Sequence, residues 1–171
     1  MRIPTSKVAT LAQQMVTPLV NDGDIETDAP AEVVKDVESV LNQYIRDEQE
    51  ITERARDLLH SRRLPPGQLG KMKRLVSDER KIGIGDDAID YILDQLVEFL
   101  MHSHNVEEIF AEDVVLRRKL REPMRRLVRE QQALDVEVEK QLRHVKAEEG
   151  SAMWDVEYRR MMEEIRRRKG L

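Results

Sequence analysis

The stretch GIGDDAIDYILDQLVEFLMHSHNVEEIF, residues 83–110, decides the fold of this chain. It opens with glycines and acids, continues through the most apolar part of the sequence, and closes on two histidines. Its apolar residues recur at spacings of three and four, which places them on one face of a helix. They are Ile89, Ile92, Leu93, Leu96, Val97, Leu100 and Met101. We predict a helix capped by Asp86 or Asp87, preceded by a turn that Gly83 and Gly85 favour.

Similar apolar stripes occur on both sides of this central helix. They predict a first helix from Thr5 or Ser6, a second from about residue 30 to His60, a third over residues 69–76, a long one from Glu112 to Lys146, and a last one after a turn at Gly150 and Ser151. Pro18 and Pro123 lie inside two of these patterns and predict a kink or a break, because proline has no amide hydrogen to donate. The sequence therefore predicts an all-α fold of about six helices, two of them long and rod-like.

Composition narrows the class of protein. Of the 171 residues, 4% are aromatic and 37% are charged, which is typical of long exposed helices. The net charge of −5 argues against a protein that coats nucleic acid generally. The absence of cysteine excludes disulfides and thiolate metal sites. Polar residues interrupt the N-terminal segment, and no apolar run reaches the roughly 20 residues that a membrane helix needs. We expect a soluble, cytoplasmic protein without a signal peptide.

The two halves of the sequence resemble each other. The stripe of the first helix recurs 81 positions later in the central helix, so that Val8 corresponds to Ile89 and Val20 to Met101. After a two-residue insertion, the apolar positions of residues 33–51 correspond to those of residues 116–134. One matched helix would mean little, because all amphipathic helices share a period, but three match in the same order. We predict two helical repeats, residues 1–84 and 85–171, each needing the other copy or a second chain to bury its stripe.

Three segments carry a likeness to a known family: MRIPTSKV at the start, KMKRLVSDERKIGIGDDAIDYILDQLVEFL in the centre, and HSHNVEEIFAED after it. On these segments, and over essentially its whole length, the chain resembles a bacterial family defined only as domain of unknown function 507. The resemblance implies a bacterial and cytoplasmic protein. It implies no activity, substrate, cofactor or catalytic residue.

One cluster in the sequence has the chemistry of metal ligands: His102, His104, Glu107 and Glu108. Two residues apart on a helix, the histidines would point roughly 200° away from each other, so they could chelate only beyond the helix end. The two glutamates also suit the first turn of a following helix. We therefore predict a polar turn here rather than a metal site, and we expect no cofactor.

A basic segment follows this turn. Its cations are Arg117, Arg118, Lys119, Arg121, Arg125, Arg126 and Arg129. On a helix they would form a cationic face opposite an apolar one, which phosphate groups could contact. Alternatively, they pair with acids of another helix, since residues 22–57 hold twelve acids against four cations. Opposite charge on the two halves favours that pairing.

No nucleophile with a positioned base is recognisable, and we predict that the protein is not an enzyme. We expect a non-catalytic protein-protein interaction or structural module whose halves pair lengthwise, within one chain or across a homodimer. The partner would be a protein, and the anchoring side chains would be Phe99, Phe110, Trp154 and Tyr158. The alternative is a nucleic-acid- or ribosome-associated factor that uses residues 117–129.

Overall fold

The computed structural model describes residues 2–143 and 151–170. These residues form six α-helices and one pair of two-residue strands, so the predicted all-α fold is confirmed. The helices are α1 (Val8–Asn21), α2 (Pro30–Ser61), α3 (Leu69–Arg80), α4 (Ala88–His102), α5 (Asp113–Leu142) and α6 (Ala152–Lys169). The strands are β1 (Ile25–Glu26) and β2 (Glu108–Ile109). No helix in the described ranges is both long enough and apolar enough to cross a membrane.

The chain divides into two compact units, Met1–Met124 and Arg125–Leu171, which we call the first and the second unit. The division falls just after Pro123, yet α5 continues through this proline. α1 likewise continues through Pro18 to Asn21. Of the two alternatives predicted for these prolines, a kink or a break, the structure therefore excludes the break. Burial of the flanking side chains, with Leu120 and Met124 fully buried, outweighs the one backbone hydrogen bond that a proline removes.

The core of the first unit contains the stripes of α1 and α4. The buried residues of α1 include Leu11, Ala12, Met15, Val16 and Leu19, and those of α4 include Ile92, Leu93, Leu96, Val97 and Leu100. Both predicted stripes are thus confirmed along most of their length. Met101 is the exception, because 67% of its surface is exposed. It lines an open groove at the end of α4, where the core has already ended.

Turns of 3-10 helix, rather than side-chain caps, begin α1 and α4. Asp87 occupies the N-cap position of α4, but its carboxylate accepts no hydrogen bond there, so the predicted cap is wrong. Instead, the Ala88 amide donates to the Gly85 carbonyl, which satisfies the helix start through the backbone. Gly83 is needed for packing, because a Cβ at this position would lie 2.7 Å from the Tyr91 Cβ. Residues Thr5–Lys7 form the equivalent turn before α1.

The connectors before α2 and α5 pair with each other, which the sequence did not predict. β1 and β2 are antiparallel, with Ile25 opposite Ile109 and Glu26 opposite Glu108. The predicted turn after α4 is fixed to α2 by two hydrogen bonds, from Ser103 Oγ (2.9 Å) and Asn105 Nδ2 (2.8 Å) to the carboxylate of Asp36. These contacts hold the start of α2 beside the end of α4.

The second unit contains a hairpin of the C-terminal part of α5 and α6. Its buried cluster is formed by Leu134, Val138, Leu142 and Ile165, against which Trp154, Tyr158, Met161 and Met162 pack. Ser151 caps α6 by accepting a hydrogen bond from the Trp154 amide at 3.2 Å. The predicted continuation of α5 to Lys146, and Gly150 of the predicted turn, lie outside the described residues.

Candidate interaction surfaces

The first unit contains an apolar groove of about 450 Å³, which we call the β2 groove. The last turns of α4, strand β2 and the first turns of α5 form its walls. The groove is lined by Val97, Leu100, Met101, Val106, Glu107, Glu108, Ile109, Ala111, Asp113 and Leu116. Phe110 and Val114, which follow lining residues directly in the chain, are 60% and 73% exposed. Met101 is thus exposed in the groove, and two further large apolar side chains are exposed next to its lining residues in the chain, as is typical of interaction surfaces.

Several carboxylates that form no ion pair among the described residues lie at the β2 groove. Glu107 and Glu108 line it, and Glu26 lies opposite Glu108 across the strands. A hydrogen bond to the Asp28 carboxyl, together with the charges of Asp28 and Glu26, raises the pKa of Glu107 above its usual value. No Lys or Arg in the described part of the chain forms an ion pair with any of these four acids. The groove therefore has an apolar floor and an uncompensated acidic rim.

A second cleft, of about 310 Å³, lies between α2 and α4. Tyr44 and Tyr91 line it, with their ring centroids 6.1 Å apart. Tyr44 is 2% exposed, and its buried hydroxyl has no hydrogen-bond partner among the described residues. Burial raises the pKa of both tyrosines. Phe99 also lines this cleft and is 38% exposed.

The residues of the predicted polar turn do not form a group of metal ligands. His102 is the last residue of α4, and its Nδ1 donates to the Glu98 carbonyl at 2.8 Å. His104 is exposed in the following turn, while Glu107 shares a hydrogen bond with Asp28. In residues 2–143 and 151–170, no three His, Asp or Glu side chains are arranged to hold a metal ion.

The basic segment is partly neutralised by acids of the first unit. Arg117 pairs with Asp94 at 2.5 Å and with Asp113 at 2.7 Å, while Arg121 pairs with Asp90 at 2.5 Å. Lys119 pairs with Asp22 at 2.6 Å and also with Asp24. The hydrogen bonds to these acids raise the pKa values of Arg117 and Lys119. Pairing with the acids of residues 22–57, one of the two interpretations of the sequence, therefore describes Lys119, whereas Arg117 and Arg121 pair with acids of residues 90–113.

The remaining members of the basic segment are more accessible. Arg118, Arg125 and Arg126 are exposed and have no ion pair within the described ranges, and Arg129 is exposed. Three of the seven cations are held by acids of the first unit. Arg118 lies in that unit without such a pair among the described residues, and the other three lie in the second unit. The structure thus gives these residues different surroundings rather than one uniform cationic face.

The four predicted anchors lie in three different places. Phe110 lies between two residues that line the β2 groove, Ile109 and Ala111, and Phe99 lines the α2–α4 cleft. Trp154 and Tyr158 pack inside the second unit. The Tyr158 hydroxyl donates to Asp135 at 2.6 Å, and burial with this bond raises the pKa of Tyr158 to about 12. The anchors therefore do not form a single site.

Sequence reasoning missed a strongly basic surface at the tip of the α2–α3 hairpin, residues 54–74. This segment contains seven Lys and Arg residues but one acid, Asp57. The excess of cations is visible in a charge count over residues 54–74. A count over residues 22–57 hides it, because that window ends inside the tip. A shallow groove of about 480 Å³ at the tip is lined by Arg56, Leu59, His60, Arg63, Leu64 and Pro66.

Comparison with known proteins identifies the family and no activity. A family described as "Protein of unknown function (DUF507)" matches residues 1–171, so the chain belongs to this family over its whole length. The resemblance recognised in the sequence is thereby confirmed. No curated protein matches the chain.

Proposed function

We propose that this member of the DUF507 family is a non-catalytic interaction module that binds a basic amphipathic helix of a partner protein in the β2 groove. The observation that supports this most directly is the exposure of Met101 in an apolar groove with an acidic rim, together with the exposure of Phe110 and Val114, which neighbour its lining residues in the chain. Helix-in-groove recognition needs these two elements, since the apolar face enters the groove and polar groups on its flanks fix the orientation.

The apolar part of the surface supplies the driving force. Complete burial of each exposed Phe, Met or Val side chain would contribute about 1.5–3 kcal/mol. Part of this gain would be offset by the loss of translational and rotational freedom on association. Phe110 offers the largest apolar area of the three and is therefore the expected central contact.

The acidic rim selects the charge of the partner. Asp28 and, to a smaller extent, Glu26 disfavour the negative charge of Glu107, as its raised pKa indicates. Lys or Arg residues flanking the apolar face of a bound helix would relieve this repulsion. An acidic helix would increase it, so charge complementarity favours a basic partner.

The two-repeat organisation remains a prediction, and two features support it. Pro30 and Asp113, the first residues of α2 and α5, are 83 positions apart. With the same offset, residues 25 and 26 correspond to residues 108 and 109, so the strand pairing is reciprocal, as it would be around a twofold axis. We infer that the two copies pair within the chain through these strands and through the Lys119 ion pairs.

Two model peptides of equal length can test the proposed function. Both would be amphipathic helices with the same leucine face, one carrying lysines and the other glutamates on its flanks. We expect the full chain to bind the lysine peptide at least tenfold more tightly in fluorescence anisotropy. The variant M101S/F110S should lose at least tenfold in affinity, whereas V136S/V156S, which alters two similarly exposed apolar residues of the second unit, should bind normally.

Other outcomes would overturn the proposal. Equal affinity for the two peptides would show that the acidic rim does not select the partner. Equal losses in the two variants would show that the β2 groove is not the binding surface. Sedimentation would reveal whether the chain self-associates; if the lysine peptide displaced a second copy from the groove, the occupant would be this chain itself rather than another protein.

A further inference from the structure

We propose that the tip of the α2–α3 hairpin binds the sugar-phosphate backbone of a nucleic-acid duplex. The charge of the tip is opposite to that of the chain, which carries −5 overall. Its seven cations are Arg54, Arg56, Arg62, Arg63, Lys71, Lys73 and Arg74. Such a local concentration of cations in an acidic protein marks a surface for a polyanion.

Intramolecular pairing does not account for these cations. Arg74 lies 3.7 Å from Asp87. The other six form no ion pair or side-chain hydrogen bond within residues 2–143 and 151–170, and all of them except Lys73 are exposed. In the basic segment, by contrast, Arg117, Lys119 and Arg121 are each held by one or two aspartates, and Arg118, Arg125 and Arg126 are the cations without a pair among the described residues. The cations of the tip are therefore available to an external anion.

Two of the seven cations, Arg56 and Arg63, line the same groove. Arg56 and His60 are four residues apart, which places them on one face of the helix. Arg63 follows the end of α2 with a left-handed φ of 51° and lines the same groove. Leu59 and Leu64 line it as well. A phosphate chain lying in this groove would meet Arg56 and Arg63, with His60 between them.

Compensation of helix dipoles explains only part of the pattern. The C-terminal end of a helix favours cations, which accounts for Arg62 at the end of α2. Lys71 and Lys73, however, lie near the N-terminus of α3, where the dipole disfavours positive charge. An external anion would be stabilised by the cations of both helices, so it accounts for the whole set.

The chemistry of the tip favours a duplex backbone over other polyanions. No strongly exposed large apolar side chain lies in residues 54–74, so an anchor for a membrane or for a protein hot spot is missing there. The segment also has no Phe, Tyr or Trp on which unpaired bases could stack. Five of its seven cations are arginines, whose planar groups bind phosphates through two hydrogen bonds.

Backbone binding of this kind has a measurable salt dependence. Each phosphate contact on duplex DNA changes the slope of log affinity against log salt concentration by about 0.9. Removal of three contacts should therefore reduce the slope by roughly 2–3. At 0.1 M salt this corresponds to a loss of affinity of roughly 100- to 1000-fold.

The test is fluorescence anisotropy of the full chain with DNA and RNA duplexes of the same 20-base-pair sequence over a range of KCl concentrations. R56Q/R62Q/K71Q removes three cations from the tip, and R118Q/R125Q/R126Q removes three exposed cations from the basic segment as a matched control. We expect the loss given above for the tip variant and less than a threefold change for the control. The two duplexes distinguish DNA from RNA as the ligand.

Several results would overturn the inference. Absence of binding to both duplexes at 50 mM KCl would do so, as would equal losses in the two variants, which would reflect net charge alone. Tighter binding to phosphatidylserine vesicles than to either duplex would assign the tip to membrane surfaces. If the triple variant melts at a lower temperature, R62Q/K71Q is the second variant. M101S/F110S should bind duplexes normally. Failure of the proposed peptide binding in the β2 groove can therefore be distinguished from failure of the proposed duplex binding at the tip.

Discussion

The unpartnered hydroxyl of Tyr44 leads to a prediction that is opposite to the usual effect of a core substitution. The side chain is 2% exposed and its ring packs near Tyr91, but the hydroxyl is buried without a hydrogen-bond partner among the described residues. Burial of a polar group in this state costs about 1–3 kcal/mol. Tyr44→Phe removes the hydroxyl and retains the ring. Relief of the unsatisfied hydroxyl should stabilise the fold, and the small cavity left by the oxygen should cost part of this gain. We therefore expect the free energy of unfolding to rise by about 1 kcal/mol.

The matched control is the same substitution in the second unit. The hydroxyl of Tyr158 donates to Asp135 at 2.6 Å, so Tyr158→Phe removes a hydrogen bond that has formed. We expect it to lower the free energy of unfolding by about 1 kcal/mol. The same substitution should thus raise the free energy of unfolding at Tyr44 and lower it at Tyr158. The sign depends on whether the hydroxyl has a hydrogen-bond partner.

Thermal unfolding can follow both variants. For a chain of this length, 1 kcal/mol shifts the melting temperature by about 2–4 °C. Circular dichroism reports on helices of both units, whereas fluorescence of Trp154, the only tryptophan, reports on the second unit, where it packs. A Tyr44→Phe variant that melts at a lower temperature than the parent would refute the reasoning, because the hydroxyl would then have a partner in the α2–α4 cleft.

Two further predictions concern backbone conformation and charge. Lys81 ends α3 with a left-handed φ of 56°, a conformation that glycine adopts without strain, so Lys81→Gly should stabilise the fold by about 1 kcal/mol. Gly23 has a φ of 72°, so Gly23→Ala should destabilise the fold by a similar amount. Denaturant titrations measure both changes. Since the pKa of Glu107 is raised in the fold, its charged form is disfavoured there. Glu107→Gln should raise the melting temperature at pH 7, and the difference should disappear as pH falls through that pKa, because the parent side chain is then protonated.

The helices and most of the core could be predicted from the sequence, because burial of one helix face is recorded as a spacing of three and four. Met15 and Leu96 illustrate this, since both are fully buried on the stripes assigned to them. The same rule failed at Met101. It assumes that a stripe is covered along its whole length, and nothing in the spacing shows where the neighbouring helix ends.

Features that depend on tertiary contacts could not be predicted. Strands of two residues, such as Ile25–Glu26, are too short to show an alternating pattern. The start of α4 looked like an aspartate cap, but the backbone of a 3-10 turn satisfies the helix start instead. Whether a charged residue belongs to a candidate surface also depends on a tertiary contact, namely whether an opposite charge lies beside it. Lys119 and Lys71 look alike in the sequence, yet Lys119 is held by two aspartates and Lys71 is not.

The length of α2 gives the charge distribution a physical consequence. Its 32 residues extend about 48 Å at 1.5 Å per residue, with Glu26 and Asp28 just before one end and Arg62 and Arg63 just after the other. The helix thereby separates opposite charges and acts as a molecular dipole far larger than its own peptide groups provide. In the field of a negatively charged surface it would experience a torque that turns the arginine end forward. A cation-exchange column should accordingly retain this acidic protein at neutral pH, and salt should elute it.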